Sequence, residues 1–395
     1  MDALMLPLPK DWEIKTFRDI STINQGLQIP ISQRLKAPTE HAKFYITIQA
    51  LNNRKEFEYI KTYNESVVCH KDDILMTRTG NTGMVITNIE GVFHNNFFKI
   101  NFDRTLINKD FLVYFLSLEQ TQKTILKKAG TSTIPDLNHN DFYSLLIPLP
   151  PLNEQIAIAD ILSALDNYLH ALRALILKKE SVKKALSFEL LSQRKRLKGF
   201  NQAWQRVRLG DICEFGNGGA YETLIVENGD FKLISLNSVD IDGNLKNTMK
   251  RVNFYDNSLK QGDIVMVLSD VAHGDFLGLC AVIPSNDYVL NQRMGRLRIR
   301  NDCINILFLR LYINANQKYF KMQGQGSSQL NLSKKAIEDF EIPLPSLNEQ
   351  IAIADILSAL DKEIANLKNK KRQFENIKKA LNHDLMSAKI RVLKK

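Results

Sequence analysis

Two sets of loop residues carry side chains that are suited to binding a partner through hydrogen bonds. They are not suited to catalysing a reaction. Amides, hydroxyls and arginines of this kind pair with base edges and phosphates, and arginine binds guanine through two hydrogen bonds. Arg78 and Arg293 are the strongest candidates, because each lies in a polar loop beside a β-like run. The alternative is an ordinary solvated surface. In the first half the candidates are Gln28, Asn53, Arg54, Thr77, Arg78, Thr79, Asn81 and Asn96. In the second half they are Asn217, Tyr221, Asn237, Ser269, His273, Asn291, Gln292, Arg293, Gln325 and Ser327.

Short β-like runs must position these loops. They fall at residues 44–48 and 83–86 in the first half, and at 263–267 and 279–283 in the second. One helical stretch follows in each half, over residues 109–128 and 304–322. This pattern predicts two α/β-type domains of about 140 residues each.

An internal repeat organises the chain. Residues 147–166 read IPLPPLNEQIAIADILSALD and residues 342–361 read IPLPSLNEQIAIADILSALD, so they differ only at Pro151 and Ser346. Fainter echoes precede each copy: a W-x₆-D-I pattern begins at Trp12 and at Trp204, and Gly26 matches Gly218. The chain is therefore a duplication in which the helical blocks stayed alike and the preceding domains diverged.

Each repeated block should begin a long helix. Asn153 or Asn348 can cap it, and Glu154 or Glu349 lies where the helix dipole favours a carboxylate. Apolar residues then keep heptad spacing, which indicates a coiled-coil seam; a core-facing helix in a bundle remains the alternative. The seam positions are Ile158, Leu162, Leu165, Leu169, Leu172 and Ile176 in the first copy, and Ile353, Leu357, Leu360, Ile364 and Leu367 in the second.

Chain geometry predicts how these parts connect. The first helix spans about 65 Å if it runs to residue 199, so the second domain should lie at its far end and the second helix should return antiparallel. We therefore expect an α+β protein with two α/β-type domains in a pseudo-twofold arrangement, joined by two long antiparallel coiled-coil helices. The expected segments are residues 1–146 and 200–341 for the domains, and 147–199 and 342–395 for the helices.

Composition narrows the class of protein. The net charge is +10, of which residues 147–199 carry +4 and residues 346–395 carry +5, so the domains are nearly neutral and must bind a polyanion through local patches. The four cysteines form no C-x-x-C pair, which predicts neither zinc nor disulfides and suits a reducing cytoplasm. The sequence shows no secretion signal and no apolar stretch of 18 residues, which argues against a membrane protein.

Catalytic motifs are missing from the sequence. Its one Pro-Pro pair, at Pro150, follows a leucine, so an Asn-Pro-Pro-aromatic adenine methyltransferase motif is absent. No glycine precedes a lysine, which excludes a Walker A loop for ATP. We therefore predict a non-catalytic protein that needs no cofactor and no metal of its own.

The duplicated I-P-L-P-x-L-N-E-Q-I-A-I-A-D-I-L-S-A-L-D block, with the W-x₆-D-I opening of each half, resembles the specificity (S) subunits of type I restriction-modification systems. The resemblance covers nearly the whole chain. It implies a protein that binds double-stranded DNA and reads a bipartite target, with one half of the target per recognition domain. It also implies two methyltransferase (M) subunits on the spacer helices, and it allows for a restriction (R) subunit.

The resemblance places S-adenosylmethionine, ATP and Mg on those partner subunits only. The competing hypothesis is a coiled-coil scaffold that binds other proteins and no DNA, which the near-neutral domains keep open.

Overall fold

A computed structural model describes residues 8–52, 57–271 and 274–393. The chain divides into two compact units. The first contains residues 1–173 and 369–395, and the second contains residues 174–368. Each unit therefore combines one α+β domain, which we call its head, with about half of each long helix. We call residues 8–149 the first head and residues 204–344 the second head.

The first head consists of short strands and helices. The strands are β1 (Glu13–Thr16), β2 (Ser21–Gln25), β3 (Lys43–Ile46), β4 (Tyr59–Ile60), β5 (Val68–Cys69), β6 (Ile74–Thr77), β7 (Val85–Ile86), β8 (Gly91–Phe93), β9 (Phe97–Phe102) and β10 (Leu146–Leu149). The helices are α1 (Phe17–Ile20), α2 (Ile48–Asn52), α3 (Lys109–Leu116), α4 (Glu119–Ala129) and α5 (His139–Tyr143). The long helix α6 (Leu152–Leu191) follows.

The second head has a similar series. Its strands are β11 (Gln205–Arg208), β12 (Cys213–Asn217), β13 (Phe231–Ile234), β14 (Arg251–Val252), β15 (Ile264–Val267), β16 (Ser269–Val271), β17 (Cys280–Val282), β18 (Tyr288–Leu290), β19 (Met294–Ile299), β20 (Gln329–Asn331) and β21 (Glu341–Leu344). Its helices are α7 (Leu209–Ile212), α8 (Ile306–Ala315), α9 (Gln317–Gln323) and α10 (Lys334–Glu338), and the second long helix is α11 (Leu347–Met386).

Matching sheets form the two heads. An antiparallel sheet has the order β2-β9-β6-β7 in the first head and β12-β19-β15-β17 in the second. A mixed sheet contains the parallel pair β3 and β8 in the first head, and β13 and β18 in the second. The central strands β6 and β15 are buried runs of apolar residues, as expected for strands covered on both faces. The predicted α+β class is confirmed.

The predicted elements are present with adjusted bounds. The run at 44–48 ends as a strand at Ile46, and the helical stretches at 109–128 and 304–322 are each broken into two helices. The predicted caps are wrong: α6 and α11 begin at Leu152 and Leu347, so Asn153 and Asn348 already lie inside the first turn. The first long helix also ends earlier than predicted, at Leu191.

The long helices bury their seam in two ways. Ile158 and Leu162 pack into the core of the first head, as do Ile353 and Leu357 in the second. Further along, the helices pack on each other, and in the first unit the rings of Tyr168 and Phe374 lie 4.7 Å apart. The apolar seam therefore faces the core of a head at the start of each long helix, and it faces the other long helix farther along. Both predicted alternatives apply, each to one part of the helix.

Candidate nucleic-acid interface

Four loops of the first head meet at one end of its antiparallel sheet. Because neighbouring strands run in opposite directions, the loop after β2, the loop between β6 and β7 and the loop before β9 share that end. Residues 130–137 form the fourth loop and join the others through the bridge between Thr79 and Asp136. Backbone hydrogen bonds join them: the Arg78 N–H donates to the Asn96 carbonyl at 2.7 Å, and the Leu137 N–H donates to the Arg78 carbonyl at 2.8 Å. We call residues 26–28, 78–84, 94–96 and 130–137 the first junction.

The second head repeats this arrangement. The Leu268 N–H donates to the Arg293 carbonyl at 3.0 Å, and the Leu332 N–H donates to the Leu268 carbonyl at 2.8 Å. Residues 218–221, 268–278, 291–293 and 323–332, as far as they are described, form the second junction. The two junctions share one backbone plan and differ in their side chains.

Gly26 and Gly218 occupy matching places in the two halves of the sequence. Each allows the loop that contains it to lie directly against the backbone of the neighbouring loop. A Cβ atom at Gly26 would clash with the carbonyl oxygens of Phe93 and His94, and one at Gly218 would clash with the carbonyl of Asn291. Only glycine allows this contact between backbones.

The first junction presents some predicted residues to solvent. Gln28 and Asn81 are exposed, and Gln28 accepts a hydrogen bond from the Asn95 amide at 3.3 Å. Thr79 and Asn96 are half-buried at the same sheet end. Thr77 is fully buried: its hydroxyl donates to the Asn81 carbonyl and accepts from the Met84 N–H at 2.9 Å. Thr77 therefore stabilises the loop and is out of reach of a duplex.

Arg78 has more partners than a free surface arginine. Its Nη2 atom lies 2.7 Å from a carboxylate oxygen of Asp136, and its guanidinium lies 5.7 Å from the centre of the Phe98 ring. The neighbouring His94 is neutral at physiological pH, because burial, and secondarily Arg34, lowers its pKa.

The second junction gathers an amide cluster around Glu222. The amides of Asn291 and Gln292 each donate to its carboxylate at 2.9 Å. The hydrogen bond from Gln292, followed by weaker interactions that include Arg293, lowers the pKa of Glu222. Asn291 is buried and also accepts from the Tyr221 N–H, so it organises the loop, whereas Gln292 and Arg293 face solvent.

The remaining predicted residues differ in their exposure and in their hydrogen-bond partners. Asn217, Asn237, Gln325 and Ser327 are exposed. The Tyr221 hydroxyl donates to Asp256 at 2.9 Å, and that hydrogen bond raises its pKa. Ser269 is buried and accepts from the Gln329 amide, so it too has an internal role. Asn53, Arg54 and His273 lie outside the described residues.

A buried carboxylate fastens each head to its helices. In the first unit Glu154, 2% exposed, accepts from Arg391 at 2.7 and 2.8 Å and from the Trp12 indole at 3.1 Å. Arg391 also binds Asp11. In the second unit Glu349 accepts from Arg196 at 3.1 and 2.6 Å and from the Trp204 indole at 3.0 Å. We call each arrangement the clasp of its unit.

Sequence reasoning missed the two arginines of the clasps. The signal was present, because Arg196 and Arg391 lie 195 residues apart, the same offset that relates the repeated blocks. The glutamine after each clasp glutamate has a second task. Gln155 holds the Asn108 N–H and the Leu106 and Pro150 carbonyls, and Gln350 makes the equivalent bonds to Asn305, Cys303 and Pro345. The N-E-Q sequence thus attaches the head to the long helices in both repeated blocks.

The start of each long helix also exposes apolar surface. Leu347 and Ile351 are exposed in the second unit, next to the exposed Leu307. A cavity of 610 Å³, lined by residues 299–302, residues 304–307 and Leu347, opens there. Ile156, the repeat equivalent of Ile351, is likewise exposed in the first unit. Apolar side chains held in solvent at matching places are typical of a binding surface for protein.

Neither a metal site nor a membrane-spanning helix occurs in the described part of the chain. No group of three His, Cys, Asp or Glu residues there could hold a metal ion. No described helix is long and apolar enough to cross a membrane.

Comparison with known proteins identifies the family. The model described as type I restriction modification DNA specificity domain matches the chain twice, over residues 9–180 and 201–376. The chain belongs to this family, as the sequence predicted. Similar relatives are the type I restriction enzyme MjaVIII specificity subunit of Methanocaldococcus jannaschii, 27% identical over 98% of this chain and 95% of the relative, and that organism's putative MjaX specificity subunit, 24% identical over 98% and 95%.

Solved structures show the same fold. The type I restriction-modification S subunit from M. genitalium aligns with a TM-score of 0.64 and 20% identity, covering 98% of this chain and 99% of that one. The HsdS subunit from Thermoanaerobacter tengcongensis aligns with a TM-score of 0.51 and 19% identity, covering 97% and 98%. These structures confirm the fold, and the two matches to the family model confirm the role in DNA sequence specificity and the two recognition domains predicted from the sequence.

Proposed function

We propose that this chain reads a bipartite DNA target, with one half-site bound by the junction of each head, and performs no catalysis itself. The observation that carries this proposal is the recurrence of one backbone arrangement with different side chains, Arg78 and Asn96 at one junction and Leu268 and Arg293 at the other. A shared scaffold with divergent hydrogen-bonding groups is what two different base sequences require.

Exchange of residues 11–146 for the corresponding segment of another family member tests this proposal. The chimera, assembled with its methyltransferase subunit, should recognise a target in which one half-site has changed and the other has not. Mapping of methylated adenines in host DNA is the measurement. A change in both half-sites would contradict independent reading by the heads.

Salt dependence separates DNA binding from a scaffolding role. Because the heads are nearly neutral, contacts to phosphates are few, and affinity for duplex should fall with salt by a modest slope. A gel-shift series between about 50 and 200 mM salt measures it. Lack of any specific duplex binding by the assembled complex would favour the scaffold.

We further propose that the exposed apolar surface at the start of each long helix binds one methyltransferase subunit. Ile156 and Ile351 are the same residue in the two repeated blocks, and both remain in solvent. S-adenosylmethionine would bind to that partner, and ATP and Mg would bind to a restriction subunit. Ile156→Asp with Ile351→Asp should abolish copurification of the partner. Leu177→Asp, which places a charge at an exposed helical position outside the block, is the matched control and should leave copurification intact.

A further inference from the structure

The two junctions can be aligned residue by residue through their backbone hydrogen bonds. Arg78 corresponds to Leu268, because each donates its N–H to the loop before β9 or β19 and its carbonyl accepts from the last residue of the junction, Leu137 or Leu332. Asp136 pairs with Thr79 in a β-bridge, and Asn331 pairs with Ser269 at the equivalent place. Arg78 and Asp136 in the first head therefore stand where Leu268 and Asn331 stand in the second.

The Arg78–Asp136 pair is incompletely satisfied. One Nη2 hydrogen bond at 2.7 Å joins the two side chains, and this leaves the Nη1 donors without a hydrogen-bond partner among the described residues. The buried Nε atom also has no partner there. The side chain of Asp136 is 50% exposed and that of Arg78 is 19% exposed, while Phe98 fixes the guanidinium from behind.

Stability alone does not account for the pair. Asp136 is half exposed, so solvent screens its attraction to Arg78, and the second head builds the same backbone with leucine and asparagine in place of the pair. The remaining donors and the free carboxylate oxygen lie side by side at the junction.

We propose that Arg78 and Asp136 together read one G·C base pair through the major groove; this inference rests on the proposed function. In that groove guanine presents two acceptors, N7 and O6, and cytosine presents the N4 donor beside them. The guanidinium supplies donors for guanine, and the adjacent carboxylate accepts from cytosine. Two donors beside an acceptor complement the acceptor, acceptor, donor order of a G·C pair, whereas an A·T pair presents acceptor, donor, acceptor.

The test replaces the dyad with the side chains that the same backbone carries in the second head, Arg78→Leu with Asp136→Asn. The assembled complex with its methyltransferase subunit selects from a random duplex library, before and after the change. We expect the first head's half-site to lose its requirement for G·C at one position. Affinity for the original target should fall by about 5- to 140-fold, the range for one bidentate base contact. The other half-site should be unchanged.

Arg104→Leu with Asp72→Asn is the matched control. This ion pair, at 3.3 Å, lies in the same head beyond the opposite end of β9, so its removal should leave base preference intact. A second readout replaces the selected guanine with 7-deazaguanine, which lacks the N7 acceptor. The wild-type complex should bind that duplex more weakly, and the double variant should not discriminate.

Retention of the same base preference by a folded double variant would overturn the assignment of the dyad. Equal binding of guanine and 7-deazaguanine by the wild type would do the same. Failure of the proposed function looks different, because the wild-type complex would then select no sequence from the library at all.

Discussion

Asp166 and Lys378 form an ion pair at 2.5 Å across the long helices of the first unit, although 212 residues separate them in the chain. The second unit contains the repeat-equivalent pair, Asp361 with Lys183. The same exchange relates Arg173 with Glu375 in the first unit to Lys368 with Glu180 in the second. Each long helix therefore carries both kinds of charge that form these pairs. Two copies of the same helix, packed antiparallel, could form the same pairs with each other.

A fragment of residues 1–199 should therefore dimerise through its own helix. Asp166 of one copy would face Lys183 of the other, and Arg173 would face Glu180, because these replace their repeat equivalents. With the methyltransferase subunit present, the fragment should recognise a palindromic target. Sedimentation at micromolar concentration checks the dimer, and a fragment that stayed monomeric would contradict the prediction.

Charge reversal tests the role of these pairs in that dimer. Lys183→Glu would oppose Asp166 of the other copy, so the dissociation constant should rise on the order of tenfold, since exposed pairs contribute only about 0.2–1 kcal/mol each. Lys184→Glu makes the same charge change at an exposed neighbour outside these pairs and should have little effect.

Much of this architecture could be predicted from the sequence, because it follows from a duplication and a heptad period. The clasps were harder to predict: the repeat offset links Arg391 to Arg196, but only the fold shows that Arg391 meets Trp12 and Glu154, which are distant from it in sequence. The junction residues were predicted only by type. Thr77, Ser269 and Asn291 are polar loop residues like the rest, and only packing shows that their side chains are internal.

Loss of a clasp arginine should be costly. Arg391→Met would leave the buried Glu154 carboxylate with the Trp12 indole alone, so we expect destabilisation of about 3–5 kcal/mol, typical of a buried charge without its partner. Chemical denaturation of the full chain measures it. Pairing Arg391→Met with Glu154→Gln should recover part of the loss, and a double variant no more stable than the single one would contradict this account.

Thiol chemistry should distinguish one cysteine from the other three. Burial raises the pKa of Cys69 and Cys213 to about 12 and also raises that of Cys280, whereas Cys303 is exposed. At pH 8 a thiol reagent should therefore label Cys303 quickly, and the others only after unfolding. Because Cys303 adjoins Asp302 and Ile304, which line the 610 Å³ cavity, a bound methyltransferase subunit should slow its labelling. Rapid labelling of more than one thiol in the native chain would contradict the burial.

Helix length should set the spacing between the half-sites. Seven residues inserted after Leu172 and seven after Leu367 keep both seams in register, because a heptad falls only about 20° short of two turns. The added rise of about 10 Å corresponds to about three base pairs. Selection on duplexes with randomised gaps should therefore find a gap about three pairs longer, with both half-sites unchanged. An unchanged gap would assign the spacing to the heads.

The division of the chain between its units has a consequence for synthesis. The second unit is one continuous stretch, residues 174–368, whereas the first needs residues 369–395, and its clasp joins Asp11 to Arg391 across 380 positions. Translation proceeds from the amino terminus at about 5–20 residues per second, and contacts this distant in sequence close slowly. Part of the first head's core, Leu385 and Met386 of α11, is therefore made only after the whole second unit, so the head that is translated earlier completes its core later.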